Sequence, residues 1–581
     1  MKIILLFLLK LFVILANVNA QQNKVHKDID AALKAIKNYN DKEWKADSAN
    51  NKLLRSHTEE DFIRQYNFYR KVHNDLKKID QEILSFDDKI NLELLQHQVL
   101  DQLAEYQYKT YLNPILSDEG FHTGLARRAN TTFNTKKDAE EYLKMLQDMP
   151  RFTDEHLQLM RKGIASGISQ PKIILAGFEN TYQQHIVDTV ERSVFWQPFT
   201  KRPISITETD WQALQERART NISTAVVNSF RSIKSFFDNE YLPKTRTTLG
   251  ASHFPNGKAF YEDRVRHYTT TNITSDEVYQ VGLKEVERIK AEMDKVILQV
   301  NFKGTFKEFV SFLRTNPKFY PKTAEELLKE AAYIAKKADG KLPSLFGKLP
   351  RQPYTVVPVP AYLAPSYTAG RFSGAPVNSK RAGEYWVNTF NLPSRTLYTL
   401  EALTLHEAVP GHHLQTSLSQ ELDSLPAFRK TLYINAFGEG WGLYSEYLGH
   451  EMGFYKDPYS LFGRLTYDMW RACRLVIDVG IHTRDWTREQ AVNYLADNTA
   501  LSLHEVNTEI NRYISWPGQA LSYKMGEIKI REMRRKTEEA LKENFDVRAF
   551  HDMVLSNGSV TLSILEKMTD RFIKQQLAAK K

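Results

Sequence analysis

The sequence predicts a mostly α-helical fold with one small β element, on three observations. From about residue 25 to 240, charged and apolar residues alternate at three- and four-residue spacing, as in Asp61-Phe62-Ile63-Arg64-Gln65-Tyr66. Capping boxes recur further on, at Thr274 with Glu277 and at Thr323 with Glu326. Only one stretch, Glu384-Tyr385-Trp386-Val387-Asn388-Thr389-Phe390, has a strand-like composition.

Residues 1–20 combine a basic start, an apolar run and small residues before Gln21, the layout of a secretory signal peptide cleaved after Ala20. The mature protein is therefore expected to be secreted or periplasmic, with no stable membrane anchor. A single cysteine, Cys473, excludes a disulfide framework within the chain. The net charge of +9 is spread among interspersed acidic and basic residues, which argues against a nucleic-acid partner. Sequons begin at Asn130, Asn221, Asn272 and Asn557.

After the signal peptide, residues 21–245 read as an N-terminal helical region with breaks near Asn113-Pro114, Asp148-Met149-Pro150 and Gln197-Pro198. Residues 246–581 carry the chemistry, and the two regions are expected to form one intertwined globule. Between Lys341 and Arg395 lie eight of the 21 prolines, so this segment should be extended and turn-rich. The 384–390 strand ends it, and could pair with an extended peptide by strand addition.

The next helix is predicted to begin near Ser394. It leads into His406-Glu407-Ala408-Val409-Pro410-Gly411-His412-His413. Removing Pro410-Gly411 leaves a regular H-E-x-x-H, in which two histidines share a helix face and a metal while the Glu acts as base. As written, position i+4 is Pro410, which ligates nothing. Pro and Gly are suited to an interruption that carries His412 to the place of the missing ligand. His413 is the alternative: on an unbroken helix it would share the face of His406 but stand roughly 10.5 Å away, too far to share one ion, so His412 needs a bulge and His413 a larger one.

A third ligand is available in Glu439, 27 residues after His412 and flanked by Gly438, Gly440 and Gly442, which would let its helix pack closely. Glu446 is either an acceptor that orients a ligating histidine or a surface carboxylate. Farther along, Tyr523 is the first candidate to stabilise an oxyanion, with Tyr513 and His482 behind it. Arg371, Lys380, Arg381, Arg512 and Lys524 are available to hold a terminal carboxylate. Tyr385, on the predicted strand, is a candidate for substrate contact.

With H-E-A-V-P-G-H-H-L-Q, F-G-E-G-W-G-L-Y-S-E and R-Y-I-S-W-P-G-Q-A-L-S-Y-K in that order, the sequence resembles the exported domain-of-unknown-function 885 family. That family is thought to be related to the gluzincin metallopeptidases, among them thimet oligopeptidase, angiotensin-converting enzyme and the thermostable carboxypeptidases. The match spans nearly the whole mature chain and is most specific over residues 380–530. The resemblance implies a two-lobed helical fold with a deep central cleft, the β element at that cleft, one Zn2+ ion and hydrolysis of short peptides. Carried over by position, His406, His412 and Glu439 would be the ligands. Glu407 would be the base that assists attack of zinc-bound water. The cleavage mode is open among oligopeptidase, dipeptidase and carboxypeptidase. A metal-dependent hydrolase of another amide or ester, or an inactive peptide-binding protein, are the alternatives.

Overall fold

The computed structural model describes residues 2–50, 52–361, 363–376 and 380–579, with the side chains of residues 2–25 and of Ser366 outside the description. It is mostly helical with one three-stranded sheet. The expected signal peptide falls where side chains are not described. Among the described residues, no helix is long and apolar enough to cross a membrane. The chain divides into two compact units, one formed by residues 1–248 and 254–256, the other by residues 249–253 and 257–581.

The first unit is built on α1 (Lys2–Ala49), α2 (Glu59–Leu76), α3 (Phe86–Gln107), α4 (Lys136–Ala165), α5 (Glu208–Asn221) and α6 (Val227–Phe236). Thr58 and Thr135 begin α2 and α4 with capping boxes, each closed by an Asp three residues on. The break expected at Pro150 does not occur, because α4 runs through it. Leu146, Met149 and Phe152 on either side are buried, so packing on both flanks outweighs the lost helix hydrogen bond. Asn221 is also not a free sequon: its amide is buried and donates to the Leu143 carbonyl.

In the second unit, α7 (Gly257–Thr269), α8 (Ser275–Gln299), α9 (Phe306–Thr315) and α10 (Ala324–Asp339) lead to the sheet. Thr274 caps α8 with its box closed by Glu277, whereas Thr323 caps α10 but Glu326 takes the Lys322 amide, so that box stays half-formed. The proline-rich segment holds three strands rather than one: β1 (Tyr354–Pro358), β2 (Gly370–Ser373) and β3 (Gly383–Val387). Their order is β1-β3-β2, with β1 parallel and β2 antiparallel to β3. The strand expected from sequence is thus the central one. Both its edges are paired, and it cannot accept a peptide by strand addition.

Helices α11 (Leu400–Glu407), α12 (His412–Gln420), α13 (Asn435–Leu448) and α14 (Pro458–Thr483) follow, then α15 (Arg488–Asn498), α16 (Leu503–Ser515), α17 (Ser522–Leu541), α18 (Val547–Leu555) and α19 (Leu562–Ala578). The motif helix starts six residues later than Ser394, since Leu392–Ser394 and Leu397–Thr399 are separate 3-10 turns. Helix α14 is the axis of this unit. It is buried from Phe462 to His482, yet carries Arg464, Asp468, Arg471, Arg474 and Asp478, all buried. Arg464 pairs with Asp468 one turn on along the same helix, while Asp468, Arg471, Arg474 and Asp478 meet Lys524, Glu446, Glu509 and Tyr261 on neighbouring elements, which is the condition for burying charge.

A pH dependence follows from the first unit. His122 and His156 are held down to about 3, and His185 to about 4, chiefly by burial. The unfolded chain binds these protons near pH 6.5 and the folded one does not, so stability is complete above that pH and is lost as pH falls below it. Each histidine should contribute a slope of about 1.4 kcal/mol per pH unit. Thermal melting between pH 7 and 5 should show the first unit weakening steadily. His156→Phe, which keeps a ring stacked on Phe121, should remove about one histidine's share of that slope; an unchanged slope would contradict the assignment.

Candidate metal centre

Helix α11 stops at Glu407. Ala408 leaves helical geometry at φ −91°, ψ −108°, the Val409–Pro410 peptide is cis, and α12 begins at His412. The interruption is therefore a break between two helices rather than a bulge within one. It is packed from both sides. Trp441 of α13 donates its indole N–H to the Pro410 carbonyl at 2.8 Å. Gly411 lies so close to the His406 carbonyl that a Cβ would collide with it.

The break brings the His406 and His412 rings to 4.8 Å, centroid to centroid and nearly perpendicular. Glu439 of α13 completes a triad whose ligand atoms all lie within 4.8 Å of one another. Its Oε2 is 3.6 Å from His406 Nε2 and 3.5 Å from His412 Nε2. Ligand atoms about 2.0–2.2 Å from a tetrahedral zinc ion stand about 3.3–3.6 Å apart, so these residues fit the ion that the motif implies.

The placement of His406 shows why α13 has its sequence. Glu439, Gly442 and Glu446 lie at i, i+3 and i+7, along one face of the helix. The imidazole is laid across that face, with Nε2 toward Glu439 and Nδ1 2.8 Å from Glu446 Oε1. A Cβ on Gly442 would be 2.6 Å from the ring. Of the two readings of Glu446, the buried acceptor is the one present: at 1% exposure, it is not a surface carboxylate. In the neutral ring, acceptance from Nδ1 leaves Nε2 as the lone-pair nitrogen. Burial disfavours a charged His406, but Glu439 and Glu446 outweigh this and lift it to about 10. Burial likewise disfavours the Glu439 carboxylate, and His406 and His412 bring it well below the usual range. The pocket thus favours positive charge among its carboxylates.

Glu407 points to the sheet, where its Oε2 accepts the Phe372 amide of β2 at 2.8 Å. An amide bonded outward in this way shows that the unpaired side of β2, not β3, faces the base. His413 has left the site. It lies against Tyr354 and Phe372, 3.3 Å from Ser417 Oγ, and burial lowers it to about 4.

The remaining candidates divide. Tyr523, at the start of α17, accepts from Arg512 Nη2 at 3.2 Å, which leaves its own proton to donate elsewhere. Its helix is brought close by Gly526, which abuts the Ala436 carbonyl and Gly440 of α13. Tyr513 does not serve the site. Its hydroxyl accepts from Trp470 and Arg474 inside the core. Both nitrogens of His482 are engaged, Nδ1 by the Ala251 amide and Nε2 by the Tyr513 carbonyl, so it has no proton to offer an oxyanion. Lys524 is fully buried in ion pairs with Asp468 at 2.6 Å, Glu527 at 2.9 Å and Glu285 at 3.1 Å, which removes it as a carboxylate binder. Tyr385 is also fully buried, its hydroxyl 3.2 Å from Thr404 Oγ1, and contacts core rather than substrate.

One residue was not anticipated. Tyr433, 47% exposed as a residue, donates its hydroxyl to Glu439 Oε1 at 3.1 Å. It stands in an irregular segment before α13, where no helical spacing could point to it, although the small Gly438 beneath its ring is a trace of it in the sequence.

The chain belongs to the family described as "Bacterial protein of unknown function (DUF885)", whose model matches residues 42–568. Among solved structures it is similar to a proposed lipoprotein from Colwellia psychrerythraea, at 26% identity over 90% of this chain and 92% of the other, with a TM-score of 0.83. It also has the fold of a proposed lipoprotein of unknown function from Shewanella oneidensis, at 18% identity, 89% and 93% coverage and a TM-score of 0.65. No curated protein matches the sequence.

Two substitutions probe this construction. Glu446→Gln should weaken metal binding by about 10- to 100-fold in a competitive chelator titration while the circular dichroism spectrum is kept. Lys524→Met leaves Asp468 and Glu527 buried without their shared cation. It should destabilise the protein by about 3–5 kcal/mol in urea unfolding, with bound metal unchanged in the fraction that remains folded.

Proposed function

We propose that this protein is a zinc-dependent peptidase acting on short peptides, with His406, His412 and Glu439 as metal ligands and Glu407 as general base. The observation that carries the reading is the triad: two imidazole nitrogens and a carboxylate oxygen from three helices, the oxygen 3.6 and 3.5 Å from the two nitrogens and all three within 4.8 Å of one another. The gluzincin relationship, with its two lobes and substrate cleft, belongs to this reading. So does export by removal of residues 1–20.

When bound, zinc would supply Lewis acidity, acidifying a water and polarising the scissile carbonyl. The chain's own residues then have these tasks. Glu407, steadied through Oε2 by the Phe372 amide, takes the proton of the attacking water on its other oxygen. As the C–N bond breaks, the same carboxyl returns that proton to the leaving amine. Tyr523, its oxygen already accepting from Arg512, is oriented to donate to the developing oxyanion. Tyr433 holds Glu439 Oε1, leaving Oε2 to face the two histidines.

Purified wild-type protein should contain one zinc ion per chain by elemental analysis and should cleave members of a short-peptide library. Glu407→Gln should keep its zinc and lose at least about 10²-fold in turnover. His412→Ala should lose zinc and His413→Ala should retain it. Wild-type protein that takes up no zinc and shows no metal-dependent turnover would end the reading.

A further inference from the structure

Tyr433 is tied to the metal centre at its hydroxyl and open to solvent elsewhere. The hydroxyl donates to Glu439 Oε1 at 3.1 Å, and the phenol end of the ring rests on Gly438, where a Cβ would stand 2.4 Å from Cζ. Yet the residue keeps 47% of its surface exposed. The main chain is a minor share of a tyrosine's surface, so part of that open area belongs to the ring. The aromatic residues that follow on α13, Phe437, Trp441 and Tyr444, are all fully buried. Among the described residues, no second ring or cation stacks on Tyr433. A single open aromatic is ordinary on a protein surface, but this one is bonded to a candidate metal ligand.

The chain is pinned on both sides of this residue. Ile434 is buried, and its amide donates to Ser559 Oγ at 2.8 Å. Four residues before Tyr433, Arg429 is buried too, with Nη2 on the Asn557 carbonyl at 2.7 Å. The ring is therefore held in place by scaffold and not by its own contacts alone. The triad is open where Tyr433 meets it: the Glu439 side chain is 15% exposed and that of His412 12%, against 3% for His406. Glu407 and Tyr523 both lie within electrostatic reach of the Tyr433 hydroxyl. Base, candidate oxyanion donor and ring are thus gathered around Glu439.

We propose that the Tyr433 ring is the platform for a large apolar side chain on the substrate residue next to the scissile bond. The substrates are then short peptides that carry such a residue at that position. An aromatic face takes apolar and aromatic groups by burying their area and by offset or edge-on packing. A cationic side chain also suits a ring face, but here it would stand beside the dication that the proposed function seats on the triad, and be repelled. An acidic side chain would meet Glu439 and Glu407. The apolar class is the one that neither charge opposes. The inference rests on the peptidase reading for its catalytic consequence, but not for the binding itself.

The test uses matched peptides that carry Phe, Ala or Lys on either side of the scissile bond. Zinc-loaded wild type should favour Phe over Ala at one of these positions by about 10-fold in kcat/KM, mostly through KM. Tyr433→Phe, which keeps the ring and loses the hydroxyl, should hold that ratio while weakening zinc in a chelator titration. Tyr433→Ala should bring the ratio near one. So should Tyr433→Gln, which keeps a donor for Glu439 without the ring, and which decides by the same criterion if Tyr433→Ala does not fold. A ratio that survives loss of the ring would overturn the platform, as would equal rates on Phe and Ala peptides in wild type, or a preference for Lys that loss of the ring abolishes. Calorimetric binding of the same peptides to Glu407→Gln separates the two claims. If wild type turns over none of them, yet Glu407→Gln binds the Phe peptide about 10-fold tighter than the Ala peptide and adding Tyr433→Gln removes that margin, the platform stands and the peptidase reading falls. Equal binding of the two by Glu407→Gln would end the platform whatever the turnover.

Discussion

The second unit depends on a helix being stopped at the right residue. A continuous helix through 400–420 would place Pro410 where a ligand is required and turn His412 to another face. Ending α11 at Glu407 and restarting at His412 lets the two histidines approach from different helices, with rings nearly perpendicular. The break has to be held, because an unsupported chain reversal is entropically expensive. Trp441 bonded to the Pro410 carbonyl, and the contact of Gly411 with the His406 backbone, hold it. Since Trp441 is on the same helix as Glu439, one element both braces the interruption and contributes the third donor.

Around this point the unit has an unusual distribution of polarity. The buried helix α14 carries five charged residues, of which Arg464 pairs with Asp468 along the helix itself and the other four are met by groups from other helices. Such pairs add little net stability over an apolar core, but they penalise every alternative packing in which a charge is left alone. In this unit they tie α14 to α8 and α17 through Asp468 and Lys524, to α13 through Arg471 and Glu446, and to α16 through Arg474 and Glu509. The helices that bear the triad and those that bear Tyr523 and Arg512 are thereby referred to one axis.

Much of this was legible in the sequence, and the parts that were not have physical reasons. Local signals carried the helical class and the caps at Thr274 and Thr323, because a cap involves only residues three apart. The association of His406, His412 and Glu439 was readable because donor type and spacing are chemically restrictive. The continuity of α4 through Pro150 was not, since the flanking burial that supports it is tertiary. The sheet order was also hidden: nothing local distinguishes a central strand from an edge, so Gly383–Val387 was given a role that only an edge can have. His482, Tyr513 and Lys524 have the residue types a catalytic site uses. They satisfy one another and the core, and only spatial partners reveal that. Tyr433 and the Phe372 amide are contributed by irregular or extended chain, where periodicity is silent.

The contact between α13 and α17 has a mechanical consequence. Gly440 and Gly526 meet main chain to main chain, so no rotatable group separates the helix carrying Glu439 from the one carrying Tyr523. A gap filled by side chains can widen or narrow when a rotamer changes or a neighbouring residue is exchanged. A gap between two bare backbones has no such slack, and acts as a gauge block. The span from carboxylate to phenol is then insulated from changes elsewhere in the core, and surrounding residues are free to diverge without detuning it.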